Sequence, residues 1–301
     1  MGAQHSNLRN LWDKSFMAKG HTGYTDPLKH SYDQPIRLAA VSRILARLFP
    51  NAGLSGKNAL DIGCGTGDFI KLQRQNGMFV TGLDISPKVI EATRQRFQND
   101  EKVELISGPV VNVNLKDDFY DLVTSITVLQ HILEEDELIQ SLKLIGKSMK
   151  TEGILIVLEL APPHKDSIIH YNDGIPYLIE RPANTWKLLF NKAGFDLIEE
   201  PVMPQLGIAM LRGFGSIFEK IGQRKNNLGV SPPNPNNDST KNAGSAINKP
   251  SFFQKIKYKG FVSIRKLLLL ISHPFDHTFH LPFPSAPNRH YHIFVYKFKR
   301  H

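Results

Sequence analysis

Short apolar runs of strand length recur through the first two thirds of the chain, and segments with helical spacing separate them. The runs are Asn58–Ile62, Met78–Ile85, Lys102–Ser107, Phe119–Ile126, Gly153–Leu160 and Phe195–Glu200. A last one, His290–Lys299, alternates apolar and polar positions as a half-buried strand does. Between them, 36–49 places Ile36, Val41, Ile44, Leu45 and Leu48 at helical spacing before Pro50. Helical patterns also cover Phe69–Gln75, Ser86–Phe97, Asp136–Lys150 and 183–193. The run Gly153–Leu160 has no polar alternation until Glu159, as expected for a parallel strand covered on both faces. Strand–helix alternation of this kind predicts an α/β fold, a doubly wound and mostly parallel seven-stranded sheet.

Two regions break the rhythm. Residues 7–37 mix Trp12, Phe16, Gly20-His21-Thr22-Gly23-Tyr24 and Tyr32-Asp33-Gln34-Pro35 without a clean period. They read, within 1–50, as an N-terminal helical cap over a core at 51–202. A long insertion, 203–289, then separates the last two strands, the final one lying in 290–301. Its 222–250 stretch is rich in Asn, Pro, Ser, Gly and Lys and too poor in apolar residues to pack, so it reads as a linker. Its 251–272 stretch carries Lys255, Lys257, Lys259, Arg265 and Lys266 among Phe252, Phe253, Ile256, Phe261 and Ile264, a basic amphipathic helix.

The chemistry gathers where the first strand ends. Leu60-Asp61-Ile62-Gly63-Cys64-Gly65-Thr66-Gly67 runs from apolar strand through an acid into glycines on alternate positions. Glycine lacks Cβ, so such a turn tolerates positive φ and lets a ligand rest on bare backbone. The helix that follows offers unpaired N–H groups at its start. Asp84 lies 21 positions beyond Gly63 at the end of the second strand, where an acid can accept both ribose hydroxyls of an adenosine. The spacing differs from the dinucleotide pattern, whose third glycine falls one residue later.

This glycine run resembles motif I of the class I methyltransferases that use S-adenosylmethionine (SAM), and the Asp84 spacing is similar to theirs. The resemblance covers about 55–200 and the final strand. It implies a Rossmann-like fold, SAM as cofactor, and contacts from Asp61, Gly63, Gly65, Gly67, Asp84, Ile85, Pro109, Val110 and Thr127. Many members of that family carry an acid for the adenine amino group where this chain has Pro109, so packing against Ile85, Pro109 and Val110 is expected to hold the base. Leading segments in that family often fold over the cofactor, which makes Tyr24, Tyr32 and Arg37 lid candidates.

Composition narrows the class. The 301 residues are 41% hydrophobic and 22% charged, values ordinary for a globular chain. Cys64 is the only cysteine, so no disulfide framework or cysteine metal site is available, and a cytoplasmic, reducing location is expected. No secretory leader is expected at the N-terminus, and no apolar run approaches the ~20 residues of a membrane span. The net charge of +9 is uneven: 1–201 balance to −3, whereas 202–301 hold 15 Lys/Arg against 3 Asp/Glu. The 251–272 helix therefore packs on the domain, lies peripherally on a membrane surface, or contacts nucleic acid.

Methyl transfer asks a protein to position an acceptor and remove a proton. Cytosine C5 chemistry would need a nucleophilic cysteine, and Cys64 belongs to the turn. The Asn/Asp-Pro-Pro-Tyr/Phe run used on amide or exocyclic nitrogens is replaced by Thr127-Val128-Leu129-Gln130-His131. O-methylation of a small-molecule, sugar or lipid-linked acceptor is the leading expectation. An RNA methyltransferase and a non-catalytic adaptor are the rivals. His131 is the candidate catalytic base, with Glu159 and His164 behind it, and no spacing marks a metal site.

Overall fold

The computed structural model describes residues 2–22, 27–50, 53–162, 166–201 and 291–299. These residues belong to one compact unit. The 203–289 insertion with its 222–250 and 251–272 segments, Tyr24, His164 and the side chain of Tyr32 lie outside them.

Seven strands form one sheet: β1 (Asn58–Ile62), β2 (Phe79–Asp84), β3 (Val103–Ser107), β4 (Tyr120–Ile126), β5 (Met149–Leu160), β8 (Phe195–Glu199) and β9 (Tyr291–Phe298). Their order is β3-β2-β1-β4-β5-β9-β8. All pairings are parallel except those of β9, which runs antiparallel to both β5 and β8. The expected doubly wound, mostly parallel sheet is therefore present. The strand order reverses between β1 and β4, and in such sheets ligands settle beyond the carboxyl ends at that point.

The helices are α1 (Ala3–Lys19), α2 (Pro27–Leu48), α3 (Asp68–Gln75), α4 (Pro87–Arg96), α5 (Glu135–Ser148) and α6 (Ala183–Lys192). Ser86 caps α4 by accepting from the Val89 N–H at 3.2 Å, and Pro87 occupies its first position. Asp121, at the mouth of β4, accepts from the Asn58 N–H and from Lys150 Nζ, both at 2.9 Å, and so ties the entries of β1, β4 and β5. Trp186 of α6 donates its indole N–H to the Leu160 carbonyl at 2.8 Å, and Phe190 stacks on Tyr296 of β9 at 4.2 Å. Burying these large aromatics, with the Trp186 indole N–H satisfied, fixes this side of the sheet.

Several elements depart from expectation. The N-terminal cap is two helices, and α2 starts well before the anticipated Ile36 because Pro35 lies inside it rather than at its first turn. The helix expected to reach Lys150 stops at Ser148. Met149, fully buried, pairs with Tyr120, and a bulge follows. A hairpin, β6 (Ile168–Asn172) and β7 (Ile175–Glu180), forms a second sheet that the sequence reading passed over.

Candidate functional site

The glycine turn is tied down before it meets any ligand. The N–H groups of Gly63 and Cys64 both donate to the Leu83 carbonyl, at 2.7 and 3.0 Å, so the end of β1 is locked to the end of β2. Gly63 has φ +66, and a Cβ there would lie 2.1 Å from Val128 Cγ2. The Gly65 N–H donates to Asp84 Oδ2 at 3.0 Å, and the Ser86 N–H donates to Oδ1 at 2.9 Å. Each carboxylate oxygen keeps one lone pair for a further donor. Burial pushes the Asp84 carboxyl up to about 6, although the Ser86 and Gly65 N–H groups pull the other way.

A cavity of about 180 Å³ opens between this turn, the ends of β2 and β4, and the two N-terminal helices. Gly63, Gly65, Asp84, Ile85, Pro109, Val110, Thr127 and His131 all line it, as does the lid candidate Arg37. Asp61 and Gly67 do not. Asp61 is buried under the turn, where its Oδ1 accepts from Thr124 Oγ1 at 2.6 Å and burial raises its carboxyl to about 7. Gly67 caps α3 at φ +83, packed against Phe97. Both shape the turn and lie away from the cavity. Cys64 is buried, and burial lifts its thiol well above the ordinary range, which fits a packing role.

The loop after β4 forms the opposite wall. Thr127 adopts φ +59, a strained conformation for a β-branched residue that costs about 1–3 kcal/mol. Its N–H donates to the Leu158 carbonyl at 2.6 Å. Fully buried Glu159 accepts from the N–H groups of Val128, Leu129 and Gln130 at 3.1, 2.8 and 3.2 Å. Glu159 therefore builds the turn Leu129–His131 and does not reach the cavity, which corrects its standing as a candidate base. His131 gives its Nδ1 hydrogen to the Tyr177 carbonyl on β7 at 2.7 Å and meets the Trp12 ring edge-on at 4.8 Å. Burial lowers its imidazole to about 4, only partly opposed by that hydrogen bond, so the ring stays neutral well below neutral pH.

Several cavity residues escaped the sequence reading. Helix α1 contributes His5, Leu8 and Trp12, and Asp13 accepts a short hydrogen bond from the Ser86 hydroxyl beside Asp84. Helix α2 contributes Gln34, whose amide donates to Asp68 at 3.2 Å, beside the lid candidate Arg37, which pairs with Asp33 at 2.5 Å and donates to Thr127 Oγ1 at 3.3 Å. The i, i+3, i+7 spacing of His5, Leu8 and Trp12 was the available signal. Asp173-Gly174, both at positive φ between apolar runs, was the signal for the hairpin that holds His131.

The donor set suits a nucleoside with a charged tail. Gly63 and Gly65 present bare backbone, Asp84 presents a carboxylate, and Ile85, Pro109 and Val110 form an apolar shelf. Among the described residues no group of three or more His, Cys, Asp or Glu could hold a metal ion, and no helix is long and apolar enough to cross a membrane.

Comparison with known proteins gives the same picture. Residues 60–157 match a family model described as a methyltransferase domain. Norajmaline N-methyltransferase of Rauvolfia serpentina is 26% identical over 147 residues, 46% of this chain and 50% of that protein. A demethylmenaquinone methyltransferase of Staphylococcus haemolyticus is 30% identical over 111 residues, 36% of this chain and 45% of that one. The chain thus spans about half the length of the curated relatives it matches. Among solved structures, the Burkholderia thailandensis 1,6-didemethyltoxoflavin N1-methyltransferase, with S-adenosylhomocysteine bound, superposes with a TM-score of 0.53. That match has 18% identity and covers 68% of this chain and 85% of that one.

Proposed function

We propose, from the premise that residues 60–157 form a class I SAM-dependent methyltransferase domain, that this chain methylates a hydroxyl on a small or lipid-linked acceptor with an apolar reacting end. One observation carries the reading. The cavity that holds Gly63, Gly65 and Asp84 on one side is walled on the other by Leu8, Trp12, Val128 and Ile132. An apolar, partly aromatic wall favours a flat organic acceptor over a polyhydroxylated sugar or a phosphate backbone. Both relatives reported above are named for small molecules, which supports the small-molecule part of the reading; the first is named for methylation at nitrogen.

SAM bound in the cavity supplies an electrophilic methyl carbon on a sulfonium. The residues of this chain do the rest. Asp84 holds hydroxyl donors at the base of the cavity, and the Gly63–Gly65 backbone lets a ligand approach closely. Ile85, Pro109 and Val110 offer packing to a flat base. Arg37 and Thr127, hydrogen-bonded to each other, keep the α2 side of the cavity fixed to the β4 loop. Helices α1 and α2 exclude water, which strengthens each polar contact inside.

Calorimetry with S-adenosylhomocysteine tests the donor side. Asp84→Ala removes a charge-assisted acceptor worth about 1.5–3 kcal/mol, so affinity should fall roughly 10- to 150-fold. Unchanged affinity would remove Asp84 from the site. Transfer of a radiolabelled methyl group to a panel of phenols, alcohols, sugars and RNA tests the acceptor side. Label in RNA alone would refute the reading.

A further inference from the structure

The three residues of α1 that line the cavity measure its length. Trp12 meets the His131 ring edge-on at 4.8 Å, and the adjacent Asp13 bonds to Ser86 beside Asp84. This part of α1 therefore lies close to Asp84. Leu8 follows about one turn earlier, and His5, seven positions before Trp12, lies about 10 Å further along the axis at ~1.5 Å per residue. There His5 donates from Nε2 to Glu137 Oε1 at 2.7 Å, and Glu137 also lines the cavity. The cavity thus runs from Asp84 past an aromatic ring and an aliphatic side chain to a carboxylate at its far end.

Acids in the first turn of a helix are ordinary, because the unpaired N–H groups there favour negative charge. Helix α5 has three, Glu135, Asp136 and Glu137. Glu135 and Asp136 are exposed, and Glu135 pairs with Lys192 at the surface. Of the three, Glu137 lines the cavity, and its side chain is 23% exposed against 53% for Glu135. The helix dipole does not ask for that inward turn. His5 occupies Oε1 and fixes the direction of the carboxylate. Oε2 makes no hydrogen bond or ion pair among the described residues, and it is not closed off from water. A carboxylate oxygen can only accept, so what meets Oε2 must donate.

We propose that Glu137 selects the acceptor, its Oε2 accepting from a hydroxyl or N–H at the end remote from the methylated hydroxyl. This deepens the methyltransferase reading and rests on it. The substrate class is a flat arene that lies on Trp12 and Leu8 and carries a donor at its far end. A span of about 10 Å is too long for a single ring and suits two or three fused ones. An arene with a carboxylate at that end is turned away, because two acceptor-only groups share no hydrogen and their charges repel. Glu137 makes and breaks no covalent bond in this role, and His5 orients it.

The test uses the full chain saturated with S-adenosylhomocysteine, so no methyl is transferred, and three naphthalenes as probes. They are 2,6-dihydroxynaphthalene, 2-naphthol and 6-hydroxy-2-naphthoate, which place a donor, a hydrogen and a carboxylate at the far end. By calorimetry, wild type should prefer the diol to 2-naphthol about tenfold or more and hold the naphthoate weakest. Glu137→Gln should bring the diol within about threefold of 2-naphthol and tighten the naphthoate about tenfold or more. Asp136→Asn, at an exposed neighbour, should keep the wild-type order. Affinity for S-adenosylhomocysteine should stay within about threefold in Glu137→Gln, which reports an intact cavity. Three results would each overturn the proposal. They are equal affinities of wild type for the diol and 2-naphthol, a parallel loss of all three probes in Glu137→Gln, and no naphthalene binding by a chain that holds S-adenosylhomocysteine. Wild type that fails to bind S-adenosylhomocysteine would instead overturn the methyltransferase reading.

Discussion

Replacing Gly63 by alanine separates two physical effects that the glycine turn combines. At φ +66 an L-residue pays a backbone cost of about 1–2 kcal/mol. The added methyl would also sit 2.1 Å from Val128 Cγ2 and 2.9 Å from Cγ1, and relieving such a clash costs about 1–3 kcal/mol. The sum, about 2–5 kcal/mol, is a large share of the 5–15 kcal/mol that holds a typical domain together. For a domain of this size the melting temperature should drop by about 4–20 °C. Gly174, at φ +76 in the hairpin turn, has nothing within 4 Å of its virtual Cβ, so Gly174→Ala carries the backbone cost alone. Val128→Ala removes both clashing methyls, and the Gly63→Ala/Val128→Ala pair should recover about 1–3 kcal/mol of coupling. Thermal unfolding followed by circular dichroism on the four variants closes the comparison. Equal melting losses for Gly63→Ala and Gly174→Ala, with no coupling to Val128, would refute the close-approach reasoning.

The buried Asp84 makes stability, and binding at the proposed donor site, depend on pH. Its carboxyl sits at about 6 in the fold against ~3.9 for a free aspartate, so between these values the folded chain holds a proton that the unfolded chain has released. Stability should therefore fall as pH rises from ~4 to ~6, by about 3 kcal/mol in all. Hydroxyl donors favour the charged form, so S-adenosylhomocysteine should bind more tightly as pH rises through 6 and expel a proton. Calorimetry at pH near 6 in buffers of different ionisation heat would contradict this if the heats agreed. Glu159→Gln should destabilise the chain by about 1–3 kcal/mol, because an amide donor would face the N–H groups of Val128, Leu129 and Gln130. Urea denaturation should register that loss, and the amides of Val128, Leu129 and Gln130 should exchange faster. Unchanged exchange there would mean Glu159 does not hold the loop.

What the sequence determined by itself is the sheet and the glycine turn beside Asp84. The central strands β1, β4 and β5 were legible because they are covered on both faces, which leaves a continuous apolar run. The glycine turn and Asp84 were legible because backbone conformation and the step from one strand end to the next are set by nearby residues. The tertiary structure decided the other half. Helix α1 buries Leu8 but few other residues, so its pattern was weak, and the cavity stripe became visible only once α1 lay over the sheet. His5 with Glu137, Asp13 with Ser86, and His131 with the Tyr177 carbonyl join residues 132, 73 and 46 positions apart. No local rule of spacing reaches so far. Glu159, which resembled a base in sequence, became a backbone clamp for the same reason: the direction of its carboxylate depends on which loop the fold lays beside it. Local chain chemistry made the turn beside Asp84 readable, and long-range packing made the cavity wall opposite it.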